Sequence, residues 1–237
     1  MDADTKEQYV CQVCGYNMVG YLPDNCPFCG ASKQKFYSCD ENSARRRVNS
    51  SRVNDRVTRL NSVPELGYEH AAYRVEAEKN VFMIDCPSTY DQSVPQIDTI
   101  FFTHHHFLGA SNLYRSLYPA RVVIHKDDSN HDMCRGFPFD TLFSGSFTEN
   151  DLSAVHLGGH TPGFTCYFFG DVLFICDYVI KEHGKWSINP YGPENETRSG
   201  LKKLLSLLIE RPVKTVCGVD YVMSFPSWNA KVRPLIE

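Results

Sequence analysis

The stretch IDTIFFTHHHFLGASNLY, residues 97–114, runs an apolar strand straight into His104, His105 and His106. Two later stretches end the same way. SAVHLGGHTPG (153–163) closes on a Gly-Gly loop that carries His160, and GDVLFICDYV (170–179) delivers Asp177. Neighbouring parallel strands place such ends at one sheet edge, where loops carry function. Neutral imidazoles with a carboxylate are first-row metal ligands. Two histidines and one carboxylate on one face, with open positions, is the non-heme iron arrangement. A lone histidine is more often a loop or core residue. The triple His, the Gly-flanked His and the strand-end Asp in this order point instead to a metal edge.

Working outward, short β-branched and aromatic runs recur at Val53–Leu60, Ala72–Val75, Val81–Ile84, Thr99–Phe102 and Arg121–Ile124. They recur again at Ala154–Leu157, Phe164–Phe169, Val172–Ile175 and Thr215–Gly218, and all read as strands. Helical patterns fit Ala110–Leu117 and Thr197–Leu208, where Leu201, Leu204, Leu205 and Leu208 share a face. Strands first and helices between them predict an α+β sandwich over residues 53–237. Residues 39–52 are polar and lack periodicity, so they read as a linker whose arginines are solvated.

Residues 1–38 hold something different. Cys11, Cys14, Cys26 and Cys29 form two C-x2-C pairs separated by eleven residues. Each pair sets two thiolates on a tight loop, and two facing loops make a tetrahedral four-sulfur site suited to zinc or iron. Gly15 and Gly30 follow the second Cys of each pair, where a left-handed turn is needed. So small a segment cannot bury a core alone, and the metal would supply much of its folding energy. The other six cysteines are isolated, most of them in apolar surroundings, and read as buried filler. Cys86, at a strand end in MIDCPS, is the one that stands apart.

The 237 residues carry 24 Lys+Arg against 28 Asp+Glu, a net charge of −4 that gives no reason to expect nucleic acid. No apolar run approaches the roughly 18 residues of a membrane span. The polar start MDADTKEQYV predicts no signal or transit peptide. Cytoplasmic location is the expectation.

The word CxxCGY…CPxCGA followed by K-x-x-F resembles the short rubredoxin-like domain of rubrerythrins, over residues 8 to 37. Tyr9, Phe28 and Phe36 match its small aromatic packing. The resemblance implies one iron cycling between ferric and ferrous, a one-electron relay; a structural zinc ribbon would use the same ligands. Downstream, the T-H start of the His motif, GHTPG and the strand-end Asp resemble the metallo-β-lactamase fold superfamily, over residues 53 to 220. That implies an αβ/βα sandwich with metal at one edge, held by His104, His160 and Asp177, which are also the catalytic candidates. MIDCP is similar to the superfamily's strand end, with Asp85 structural.

The departures matter. Where the superfamily reads T-H-x-H-x-D-H, this chain reads Thr103 to Gly109 with His104 and His106 in place and Leu108 and Gly109 for the Asp-His pair. An alternative matching puts His106 at the Asp position. Val219, beside Asp220, stands near the usual late His. A mononuclear site is the expectation, with His106 as a further ligand. His105 reads as a supporting residue and His70 as a cleft residue. The run from His125 to Asp132 offers side chains that could be extra ligands, but it reads first as a polar surface loop.

Three functions are open. One is a redox enzyme, in which a four-thiolate iron serves a His/Asp iron acting on oxygen or a small oxidised substrate. It resembles persulfide dioxygenases in ligands and flavodiiron proteins in its electron-donor module, and it implies an electron-donating reductase as partner. The second is a zinc hydrolase of the glyoxalase II or lactonase type, with a structural zinc ribbon. The third is a non-catalytic redox or metal sensor. The linker would let the small domain serve its own metal edge or a neighbour's in a homodimer.

Overall fold

Val81–Ile84, Thr99–Phe101 and Arg121–His125 are almost wholly buried apolar runs. Strands with no polar face belong inside a parallel sheet. In the computed structural model, which describes residues 7–237, these three are parallel neighbours. Residues 1–6, which include most of the polar start, lie outside the described residues. The chain divides into two compact units, residues 7–124 with Ser129–Leu142, and His125–Asp128 with Phe143–Glu237.

The first unit holds a seven-stranded sheet. Its spatial order is Thr141–Phe143, Arg121–His125, Thr99–Phe101, Val81–Ile84, Ala72–Glu76, Val57–Val63 and Arg47–Arg52. The parallel centre sends Asp85 and the 102–106 segment off neighbouring strand ends, as the sequence suggests. Ser111–Leu117 is helical. Leu60, Met83, Ile100, Phe102, Tyr114 and Val122 fill the core on this side, together with Val19 from the four-cysteine segment. That segment forms its own three-stranded sheet, with Gln8–Cys11 between Asn17–Val19 and Phe36–Ser38.

The linker expectation is corrected. Cys39–Arg45 is a helix, started by a reciprocal capping box in which Ser38 and Glu41 each bond the other's backbone N–H. Arg47–Arg52 is the edge strand, paired antiparallel to Val57–Val63 through a turn at 53–56. Its side chains are nearly all exposed. An edge strand with no buried face shows no hydrophobic alternation, which is why it reads as loop. Arg45 stacks on the Tyr37 ring, Arg46 reaches Gln12, and Arg52 pairs with Asp55, so part of the basic run is bonded locally.

The second unit is built on a six-stranded sheet, with spatial order Phe147–Glu149, Leu152–His156, Thr165–Phe169, Val172–Cys176, Thr215–Gly218 and Val222–Ser224. Val172–Cys176 and Thr215–Gly218 are its parallel pair, so Asp177 and Val219 leave neighbouring ends. A hairpin of Val179–Glu182 and Lys185–Ile188 follows. The helix Glu194–Leu207 buries Leu201, Leu204 and Leu205, and Leu208 just beyond it, in a core with Trp228 and Phe164. Among the described residues no helix is long and apolar enough to cross a membrane.

Candidate metal centres

The two C-x2-C loops bring their sulfurs face to face. Cys11 Sγ lies 3.7 Å from Cys29 Sγ, and Cys14 Sγ lies 3.7 Å from Cys26 Sγ. All four sulfurs are within 4.8 Å of one another. A tetrahedron of metal–sulfur bonds of about 2.3 Å has sulfur–sulfur edges of about 3.8 Å, so the cage fits a metal ion. A disulfide would need sulfurs about 2 Å apart. Gly15 and Gly30 take φ +89° and +73°, the left-handed turn their positions demand. The N–H of Tyr16 points at Cys14 Sγ at 3.4 Å. Hydrogen bonding from its neighbours pulls the Cys11 thiol down, while the same sharing pushes Cys14 and Cys26 up. Four thiolates can share so small a space only around a cation. This is a metal site.

The segment is docked within its unit. Tyr16 donates to the Met133 carbonyl at 2.9 Å, and Asn17 donates to that of Ser88 at 3.2 Å. Phe28, between Cys26 and Cys29, sits edge-on to Phe107 with ring centres 4.6 Å apart. Its ring centre is 6.2 Å from that of His106.

His104 and His106 leave the end of Thr99–Phe101 with rings 4.5 Å apart. Asp85, at φ +56°, accepts from both the N–H and the hydroxyl of Thr103 at 2.9 Å. The Thr103 hydroxyl lies 3.0 Å from His104 Nδ1. Asp85 is thus structural. His70 packs against His104 and Phe107, with ring centres 5.4 and 4.5 Å away. His105 turns aside and stacks on His131 at 3.8 Å.

In the second unit His160 Nε2 is 3.3 Å from Asp177 Oδ2, and both residues are buried. Asn189, from the turn after Lys185–Ile188, contacts both. No sequence motif marks it.

Residues 9–37 match the rubredoxin-like domain of rubrerythrin. Most of the chain has the metallo-β-lactamase fold. A metallo-β-lactamase from Pontibacter korlensis superposes with a TM-score of 0.65 at 14% identity, covering 80% of this chain and 99% of that one. One from Erythrobacter litoralis gives 0.58 at 11%, covering 83% and 96%. An archaeal superfamily protein from Sulfolobus tokodaii gives 0.53 at 16%, covering 71% and 80%. At these identities the likeness establishes the fold alone. No curated protein matches the chain by sequence.

The positions that depart from the superfamily's motif are filled by packing. Leu108 is buried in the hydrophobic core, and a Cβ on Gly109 would lie 2.3 Å from the Cys86 carbonyl oxygen. Cys86 is itself core filler, its thiol pushed well up by burial. Asp220 is exposed.

His125, Asp127 and His156 also come together. His125 is a buried strand end rather than part of a polar loop, and burial with His156 nearby lowers its pKa. The N–H groups of Asp127 and Gly145 point at its Nδ1 and Nε2, both at 3.2 Å, and the neutral ring accepts one of the two. His156 Nε2 lies 2.9 Å from the Pro162 carbonyl oxygen. These bonds tie turns together.

Proposed function

We propose that this chain is a redox metalloprotein in which the four-thiolate centre serves a mononuclear site held by His104, His106, His160 and Asp177. Imidazoles and a carboxylate are donors of the kind that hold a first-row metal ion. Iron in both centres would supply one-electron chemistry, with oxygen or a small oxidised molecule as substrate and a reductase recharging the thiolate centre. The observation that carries the reading is the packing of Phe28 on Phe107 and beside His106. It sets the cysteine cage directly behind the His104–His106 segment, a placement an electron donor needs and a water-activating zinc does not. Leu108 and Gly109, neither of which offers a ligand atom, argue against a second metal. Ten cysteines with no disulfide among the described residues suit a reducing compartment, and we assign the cytoplasm.

Metal analysis with an optical spectrum tests this. About two iron atoms per chain and a thiolate-to-iron absorption that bleaches on reduction are expected. A colourless protein holding only zinc, made in iron-replete cells, would sink the reading.

The competing reading is a zinc hydrolase with a structural four-thiolate zinc. It is favoured by the fold shared with the metallo-β-lactamases above. Zinc in both centres and ester or thioester hydrolysis lost in Asp177→Ala would establish it.

A further inference from the structure

Asn189 belongs to none of the motifs discussed above, yet it is buried at the His160–Asp177 pair. Its Nδ2 donates to Asp177 Oδ2 at 2.9 Å and to the Asp177 main-chain carbonyl at 2.9 Å, and lies 3.4 Å from His160 Nε2. Its Oδ1 accepts from the N–H of Tyr191 at 2.9 Å. That last bond settles which end of the amide faces Asp177, because a backbone N–H must meet an oxygen. The two N–H bonds of the amide therefore reach the carboxylate and the carbonyl of one residue. A side chain held at both ends has lost its torsional freedom before any ligand arrives.

We propose that Asn189 is a positioning residue that fixes the Asp177 carboxylate for metal binding beside His160. This rests on the assignment of His160 and Asp177 as ligands. The chemistry favours an amide here. A Lys or Arg at 189 would pair with the carboxylate and compete with the metal for its charge, whereas a neutral donor orients the oxygens and leaves the charge in place. The backbone supports the clamp from both sides. Asn189 N donates to the Tyr178 carbonyl at 3.2 Å, and Gly192 packs against His160 so closely that a Cβ there would lie 2.9 Å from its Nδ1. The segment from Asn189 to Gly192 thus touches both residues of the pair.

Two substitutions isolate the donor. Asn189→Asp keeps an oxygen for the Tyr191 N–H but cannot donate to Asp177. Asn189→Ala removes the whole amide without adding charge. Only the loss of the Nδ2 donor is common to both. The measurement is the affinity of the His/Asp site for cobalt(II), by competition with a chromophoric chelator, in full-length protein that retains its four-thiolate metal. Both variants are expected to bind about 10–100-fold more weakly. The visible cobalt band should change shape, while the four-thiolate absorption and the melting temperature stay near those of the parent. Binding as tight as the parent's in either variant would overturn the inference. A parent protein that takes up no metal beyond its four-thiolate centre would overturn the ligand assignment, and the clamp with it.

Discussion

The hydroxyl of Thr103 lies between the carboxylate of Asp85 and Nδ1 of His104, 2.9 and 3.0 Å from them. A carboxylate only accepts, so the single hydroxyl proton goes to Asp85 and the oxygen must accept from His104. Nδ1 therefore carries the imidazole proton and Nε2 the lone pair that a metal would take. Partners of this kind set ligand tautomer and orientation. Thr103→Val, which removes the hydroxyl at constant shape, should weaken metal binding at the His/Asp site about 10–100-fold. Thr103→Ser should restore most of it. Chelator competition on the three proteins checks this, and equal affinities in parent and Val variant would show the tautomer to be set elsewhere.

The four-cysteine segment contributes Val19 to the main core of its unit, and its Tyr16 bonds the Met133 carbonyl. Its metal should then hold more than itself. Structural four-ligand sites carry apparent binding energies on the order of 10 kcal/mol, and each kcal/mol moves the melting point of a chain this size by about 2–4 °C. Cys26→Ser is expected to lower the main calorimetric transition by at least about 10 °C. A separate small transition lost while the main one stays put would mean the segment folds independently.

What the sequence discloses depends on how locally each feature is encoded. The cysteine cage is legible because ligands, spacing and turn glycines lie within thirty residues. His104, His160 and Asp177 stand out because strand ends are written as apolar runs that stop at a polar residue. The 39–52 stretch misleads, since an edge strand with both faces wet has no alternation to read. The S-x-x-E word at Ser38–Glu41 is the one trace of its helix. Asn189 leaves no trace at all. An asparagine before Pro-Tyr-Gly looks like turn chemistry, which it also performs, and its bond to a residue twelve positions earlier exists only in the fold.

Asp140 gives a pH-dependent test away from the candidate metal centres. Arg115 grips its carboxylate with two N–H groups, one at 2.8 Å, and the Val122 N–H adds a third bond, so its pKa is lowered chiefly by the Arg115 hydrogen bond. A carboxyl depressed in the folded state stabilises above its unfolded pKa of about 3.9, and that contribution is lost as pH falls through the lower folded value. The pair is partly exposed, with Arg115 at 38% and Asp140 at 28%, so screening holds its worth to about 1 kcal/mol or less. Arg115→Met should be less stable than the parent by about that amount at pH 7 in urea denaturation. The gap should narrow below about pH 4. A gap independent of pH would assign the loss to packing of the arginine stem.

Gly192 carries a steric prediction in the second unit. A Cβ added there would sit 2.5 Å from the main-chain oxygen of His160 and 2.8 Å from its Cα. Neither is the tip of a flexible side chain, so Gly192→Ala must push the His160 backbone or its own loop. Overpacking of this kind costs about 1–3 kcal/mol. The loop that would move is the one that brings Asn189 to Asp177, so stability and metal binding should fall together. In Gly192→Ala, denaturation should show that loss while cobalt(II) affinity at the His/Asp site drops, with the four-thiolate absorption intact. Lost stability with unaltered cobalt affinity would mean that the loop yields and His160 stays in place.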